Sequence, residues 1–139
     1  MATDSRSLPP IVQQWLRVWT EDPGQVAELY APKARYEDLP GGVTLHGPEA
    51  IRGHIAEERA AFPEQRITVR SAVAAGDRAA FELVFTGAYT GTLLGVPPGS
   101  GQLVVLPLAV FLEVSGDRIW HETHYYDATT LLGQMTAPR

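Results

Sequence analysis

The stretch that decides the fold is RITVRSAVAAGDRAAFELVFTGAY, residues 66–89. In its first half Ile67, Val69, Ser71 and Val73 recur at every second position, the period of an extended strand. Gly76-Asp77 interrupts the run with turn chemistry, and a second extended run follows over 79–89. The pair predicts an antiparallel hairpin. Further along, the loop 91–101 carries Gly95-Val96-Pro97-Pro98-Gly99-Ser100-Gly101 and has no strand character. Residues 103–114 are almost continuously apolar, broken by Pro107, and Ser115-Gly116-Asp117 turns the chain into a last strand over 118–126. A short helix is predicted from Asp127.

Toward the N-terminus the period changes. Pro63 ends a helix predicted over 49–62, with Ile51, Ile55 and Phe62 inward. Short strands are read over 34–38 and 43–46, joined by the turn Leu39-Pro40-Gly41-Gly42. Pro23 opens a short helix over 24–30, with Val26, Leu29 and Tyr30 on its buried side. Ile11, Val12, Trp15, Leu16 and Trp19 keep helical spacing, and Pro9-Pro10 precede them where a first turn tolerates proline. Residues 1–7 read as a flexible tail. Nothing divides the remainder, so 8–136 is expected to be one domain. Helices segregated from long antiparallel hairpins define an α+β class.

The chain has 139 residues, 45 % hydrophobic and 19 % charged, a composition that folds. Its formal net charge is −5 with no Lys/Arg cluster, which argues against nucleic acid and against an anionic membrane surface. The absence of cysteine removes disulfides and thiolate chemistry. No signal peptide or membrane span is read, so a cytoplasmic location is expected. Residues 103–114 are apolar on both faces, whereas an antiparallel sheet usually wets one. Helices cover one side only, so a homodimer is expected to cover the other.

Six stretches in order resemble the SnoaL-like polyketide cyclase family, within the nuclear transport factor 2-like superfamily that includes ketosteroid isomerase and limonene epoxide hydrolase. They are residues 29–38 (LYAPKARYED), His46-Gly47-Pro48-Glu49-Ala50-Ile51-Arg52, Gly95-Val96-Pro97-Pro98, Gly116-Asp117-Arg118-Ile119, Tyr125-Tyr126-Asp127 and Leu131-Leu132-Gly133-Gln134. Together they span about Trp15 to Gln134. The resemblance implies a conical half-barrel: a curved sheet on about three N-terminal helices, a short C-terminal helix and a pocket between. Fold alone does not choose among cyclase, isomerase, hydrolase and non-catalytic binder.

On the resemblance, Asp38 falls at the isomerase general base, and His124 stands where the cyclase and hydrolase relatives place a catalytic aspartate. A carboxyl in an apolar pocket becomes a better proton acceptor, and histidine moves protons near neutral pH. Asp38 has a second reading, as an acceptor for the turn amides of 39–42. His124 also reads as a wall histidine satisfied by a carbonyl. Trp15, Trp19, Tyr36, His54, Glu122 and Tyr126 are candidate substrate-binding residues, although helical spacing also suits Trp15 and Trp19 to plain core. Strict alternation puts Trp120, Glu122, His124 and Tyr126 on one face of the last strand and His121, Thr123 and Tyr125 on the other. That spacing denies His121 and His124 a shared ion, so no metal and no cofactor are expected. Asp127 reads as a helix cap.

Two features depart from the relatives. The isomerase's oxyanion acid would fall near Ala109-Val110, and its tyrosine at Gln14 or Trp15. The hydrolase's Arg and Asp would fall near Leu83 and Phe85. The expected activity is a cofactor-independent cyclase or isomerase working through an enolate on a small hydrophobic or aromatic carbonyl compound. The alternatives are a non-catalytic binding protein, or a dehydratase, hydroxylase or epoxide-opening cyclase using the same pocket.

Overall fold

The computed structural model describes residues 7–139, so the tail expected over 1–7 lies, up to Arg6, outside the described residues. Helix α1 (Pro10–Thr20) starts on proline and buries Val12, Trp15, Val18 and Trp19. A 3-10 turn (Pro23–Gln25) leads into the single-turn α2 (Val26–Leu29). Then come β1 (Tyr30–Asp38), β2 (Val43–His46), α3 (Pro48–Ala61), β3 (Arg66–Ala75), β4 (Arg78–Tyr89), β5 (Gln102–Ser115), β6 (Arg118–Tyr125) and α4 (Ala128–Met135). The strands form one open, curved sheet in the order β2-β1-β6-β5-β4-β3. Only the β1–β6 pair is parallel. This is an α+β fold with its helices segregated from the hairpins.

Three local differences from the sequence reading have physical causes. Strand β1 begins at Tyr30, inside the stretch read as helix, because Pro32 disfavours a helical Ala31 and stops α2 early. The proline is tolerated in β1 because β2 pairs only from Arg35 onward and the β1–β6 register is irregular between Tyr30 and Arg35. Pro107 is tolerated in β5 because pairing with β6 starts only at Ala109. In β6 the ladder runs from His121 directly to Ile119, so Trp120 is the extra residue of a bulge. Ile119, Glu122 and His124 are buried while Trp120 is exposed. Strict alternation therefore misplaces Trp120, which lies beside His121 rather than with Glu122.

Helices α1 and α3 cover one face of the sheet. Their residues Trp15, Trp19, Ile51 and Ile55 join Phe81, Leu83, Val110 and Leu112 in the main core. A second cluster gathers Phe62, Tyr89, Leu93, Val104, Leu106, Leu131 and Met135 around the 90–101 loop and α4. The opposite face leaves Val73, Phe111, Trp120 and Tyr125 exposed. Asp127 caps α4, accepting from Thr129 N at 2.9 Å and Thr130 N at 3.3 Å.

Candidate active site

A narrow hollow of about 60 Å³ lies between the two clusters and opens to solvent. Phe62, Phe85, Leu93, Leu94, Leu106 and Leu131 give it apolar walls, and Tyr36, Asp38, His54, Glu58, His124 and Tyr126 supply its polar groups. The 90–101 loop delivers Leu93 and Leu94. It is held by Tyr89, whose hydroxyl accepts from Leu93 N at 3.3 Å and lies 3.1 Å from the Val96 carbonyl. Gly99 must be glycine, because a Cβ there would overlap the Tyr89 carbonyl. Leu94 adopts a left-handed backbone, with φ of 54°.

Asp38 closes β1 and is only 6 % exposed. Its Oδ1 accepts from Gly41 N at 2.9 Å and its Oδ2 accepts from the Tyr126 hydroxyl at 2.9 Å. The two readings of Asp38 are thus combined, for it faces the cavity and also ties down the β1–β2 turn. Burial, with the Asp38 charge adding to it, holds the Tyr126 phenol well above its ordinary value. Tyr126 therefore remains a hydrogen-bond donor.

His124 lies on the same wall with a carboxylate behind it. Its Nε2 is 2.6 Å from Glu122 Oε2. Glu122 is fully buried, receives the Trp15 indole N–H at 3.1 Å on both oxygens, and accepts the Tyr30 hydroxyl at 2.8 Å. The Trp19 indole in turn donates to the Tyr30 oxygen at 2.7 Å. Burial, and next the Glu122 charge, push the Tyr30 phenol well up, so it donates rather than ionises. An indole only donates and a carboxylate only accepts, which makes Glu122 the common acceptor of the network. The proton of His124 accordingly sits on Nε2. Its Nδ1 lies 3.4 Å from the Tyr36 hydroxyl.

Of the sequence candidates, the structure brings Tyr36, Asp38, His54, His124 and Tyr126 to one cavity. It places Trp15, Trp19 and Glu122 behind the wall, with Glu122 bonded to both Trp15 and His124, and none of the three lines the hollow. Apolar side chains one helical turn apart face the core, which is the plainer of the two readings of the tryptophans. Tyr36 bridges the wall, its hydroxyl also 3.4 Å from His54 Nε2. Burial, ahead of the nearby carboxylates, raises its phenol well above normal. Ala109 and Val110 offer no side-chain donor, so no oxyanion acid stands at that position.

Sequence reasoning missed Glu58. It lies one turn beyond His54 on α3, its Oε1 3.8 Å from His54 Nε2. Burial raises its carboxyl above the ordinary 4.5; His54 and His124 oppose that shift, and Asp38 and Glu122 add to it. The available signal was the i, i+4 spacing from His54, on a helix whose Ile51 and Ile55 already pointed inward. Among the described residues no group of three or more His, Cys, Asp or Glu is arranged to hold a metal ion, and no helix is long and apolar enough to cross a membrane.

The cavity thus gathers imidazole, carboxyl and phenol groups against apolar walls. The chain belongs to the SnoaL-like polyketide cyclase family, whose sequence profile matches residues 10–135. Among solved structures it is similar to a Catenulispora acidiphila protein of ketosteroid isomerase-like fold in complex with trimethylamine. The two are 29 % identical with a TM-score of 0.78 over 95 % of this chain and 96 % of that one. It is also similar to IdmH from Streptomyces antibioticus, provisionally named a polyketide cyclase, at 25 % identity and a TM-score of 0.73, covering 89 % and 94 %. A provisionally named SnoaL-like polyketide cyclase of Jannaschia sp. CCS1 shares the fold at 23 % identity and a TM-score of 0.81, covering 93 % of each chain. No curated protein matches the chain.

Proposed function

We propose that the protein is a cofactor-independent cyclase that closes a ring in a small, largely apolar carbonyl compound of polyketide type. The observation that carries this is a single one: His124 lines the cavity while its Nε2 is held by the buried Glu122 at 2.6 Å. A buried carboxylate that fixes the tautomer leaves the opposite nitrogen as a directed base.

In this reading Nδ1 removes a proton next to a carbonyl. The C–H electron pair forms the enolate, whose carbon attacks a second carbonyl of the same molecule. A C–C bond forms, the second carbonyl becomes an alkoxide, and the imidazolium returns the proton to that oxygen. Asp38, its carboxylate oriented by Gly41 and Tyr126, balances the imidazolium charge while it lasts. An isomerase differs only in returning the proton to another carbon. The apolar walls hold the substrate folded and dry, which is where most of the rate advantage of such a site arises.

Deuterium uptake by β-tetralone, followed by NMR, tests the base without requiring the natural substrate. The native protein should catalyse exchange, and His124→Ala should lower it by about 10²- to 10⁴-fold. Exchange no faster than buffer, with β-tetralone still bound, would leave a ligand-holding protein without chemistry.

The same reading keeps the expected cytoplasmic homodimer. Its support is the bare sheet face, where Phe111 and Tyr125 pack edge to face with ring centroids 5.6 Å apart and both remain about half exposed. A second copy would bury them.

A further inference from the structure

Enolate chemistry needs a donor for the carbonyl oxygen, and the expected positions at Ala109 and Val110 have none. The donors of Tyr126 and His124 on the cavity wall are already engaged. The single Tyr126 proton goes to Asp38 Oδ2 at 2.9 Å, and the His124 Nε2 proton goes to Glu122 at 2.6 Å. The Tyr36 hydroxyl sits between His54 Nε2 and His124 Nδ1, 3.4 Å from each. Glu58 is different. It lines the same cavity, its side chain is three-quarters buried, and its carboxyl makes no hydrogen bond to the described residues. On α3 the His54 Nε2 is 3.8 Å from its Oε1, beyond hydrogen-bond distance.

We propose that Glu58, as the neutral carboxylic acid, donates the hydrogen bond that holds the substrate's carbonyl oxygen and steadies the enolate formed there. This rests on the reading of the cavity as a site for carbonyl compounds. The groups that face Glu58 fit the role. Asp38 from β1 and Glu122 from β6 disfavour a further negative charge, whereas His54 from α3 and His124 from β6 favour one. Burial outweighs the imidazoles, and the carboxyl is raised above its ordinary 4.5. Tyr36 and Tyr126, both held well above their normal values, add no charge. The proton stays on Glu58 throughout or is lent to the enolate oxygen and recovered, so the balance of the proposed reaction is unchanged.

The test uses the whole protein and isotopically labelled acetophenone, a neutral ketone whose carbonyl stretch falls in frequency when it accepts a hydrogen bond. Methyl NMR of Leu93 and Leu131 reports whether the ketone enters the cavity. Bound to the native protein, the carbonyl band should lie lower than when bound to Glu58→Leu. The Glu58→Gln amide, which can still donate, should keep most of that shift. Raising the pH until Glu58 ionises should abolish the shift in the native protein and leave it intact in Glu58→Gln. An identical band in the native protein and Glu58→Leu, with the ketone seated in both, overturns the role of Glu58 and spares the cavity reading. An ion pair of Glu58 with His54 would show as a native band without the shift at neutral pH, which also overturns it. Failure of acetophenone to perturb Leu93 and Leu131 in any form contradicts the cavity reading and this inference with it.

Discussion

Asp38 and His124 are register partners across the parallel pair β1–β6, the only parallel pair in the sheet. Their side chains stand side by side on the helix-covered face because directly paired residues share a face of the pleat. Residues 86 positions apart in sequence are thereby held on adjacent backbones and within one cavity. The same register pairs Tyr36 with Glu122, one layer deeper. Each of the two layers joins an acid and a ring: Asp38 with His124 at the cavity, Glu122 with Tyr36 behind it.

Glu122→Gln should be costly twice over. The amide presents an N–H₂ to Trp15, Tyr30 or His124, all of which need an acceptor, so stability should fall by about 1–3 kcal/mol in urea unfolding. Loss of the charge behind His124 should also lower β-tetralone exchange by about 10²-fold. Unchanged exchange in a folded variant would mean that Glu122 does not position the base.

Gly41→Ala tests Asp38 without touching its charge. An added Cβ would lie 2.7 Å from Asp38 Oδ2 and 2.9 Å from the Tyr126 hydroxyl, so the carboxylate must move. Since both neighbours are flexible side-chain ends, the fold should lose only about 1 kcal/mol. Exchange should fall roughly 10-fold or more, because small displacements of reacting groups are expensive in rate. A rate equal to the native one would show that Asp38 need not stand where it does.

Glu58 gives stability a pH dependence of known sign. Its carboxyl is raised in the folded chain above the ordinary 4.5 of the unfolded one. Between those two values the folded state binds more protons than the unfolded state, so stability falls as pH rises. Glu58→Gln should match the native protein below that window and become relatively more stable above it. Parallel pH–stability curves for the two proteins would contradict the assignment.

Phe111→Glu places a charge on the bare sheet face, away from the cavity. Sedimentation should show the native chain at twice 15.1 kDa at micromolar concentration and the variant at 15.1 kDa. A native mass of 15.1 kDa would exclude the homodimer.

Much of the fold was legible because local chemistry and global packing agree. The alternation over 66–75, the turn at Gly76-Asp77 and the helical spacing of Trp15 and Trp19 each required only neighbouring residues. The site was legible in part. Tyr36, Asp38 and Tyr126 lie in recognisable stretches, His54 and His124 lie just beside two of them, and the five share one cavity. The purpose of Trp15 was not readable, because its indole meets Glu122 across 107 residues of sequence. Nor was the bulge at Trp120, since a period-two pattern carries no sign of an extra residue in one strand. Glu58 escaped notice because a glutamate on an amphipathic helix ordinarily faces water, and only the packing of α3 reveals that this one does not.

The most direct measurement is heteronuclear NMR of the His124 ring nitrogens, with and without β-tetralone. The structure predicts a proton on Nε2, a bare Nδ1, and a change at Nδ1 when the ketone enters. A proton found on Nδ1 in the neutral ring, or an Nδ1 signal indifferent to the bound ketone, would contradict the assignment of His124 as the base.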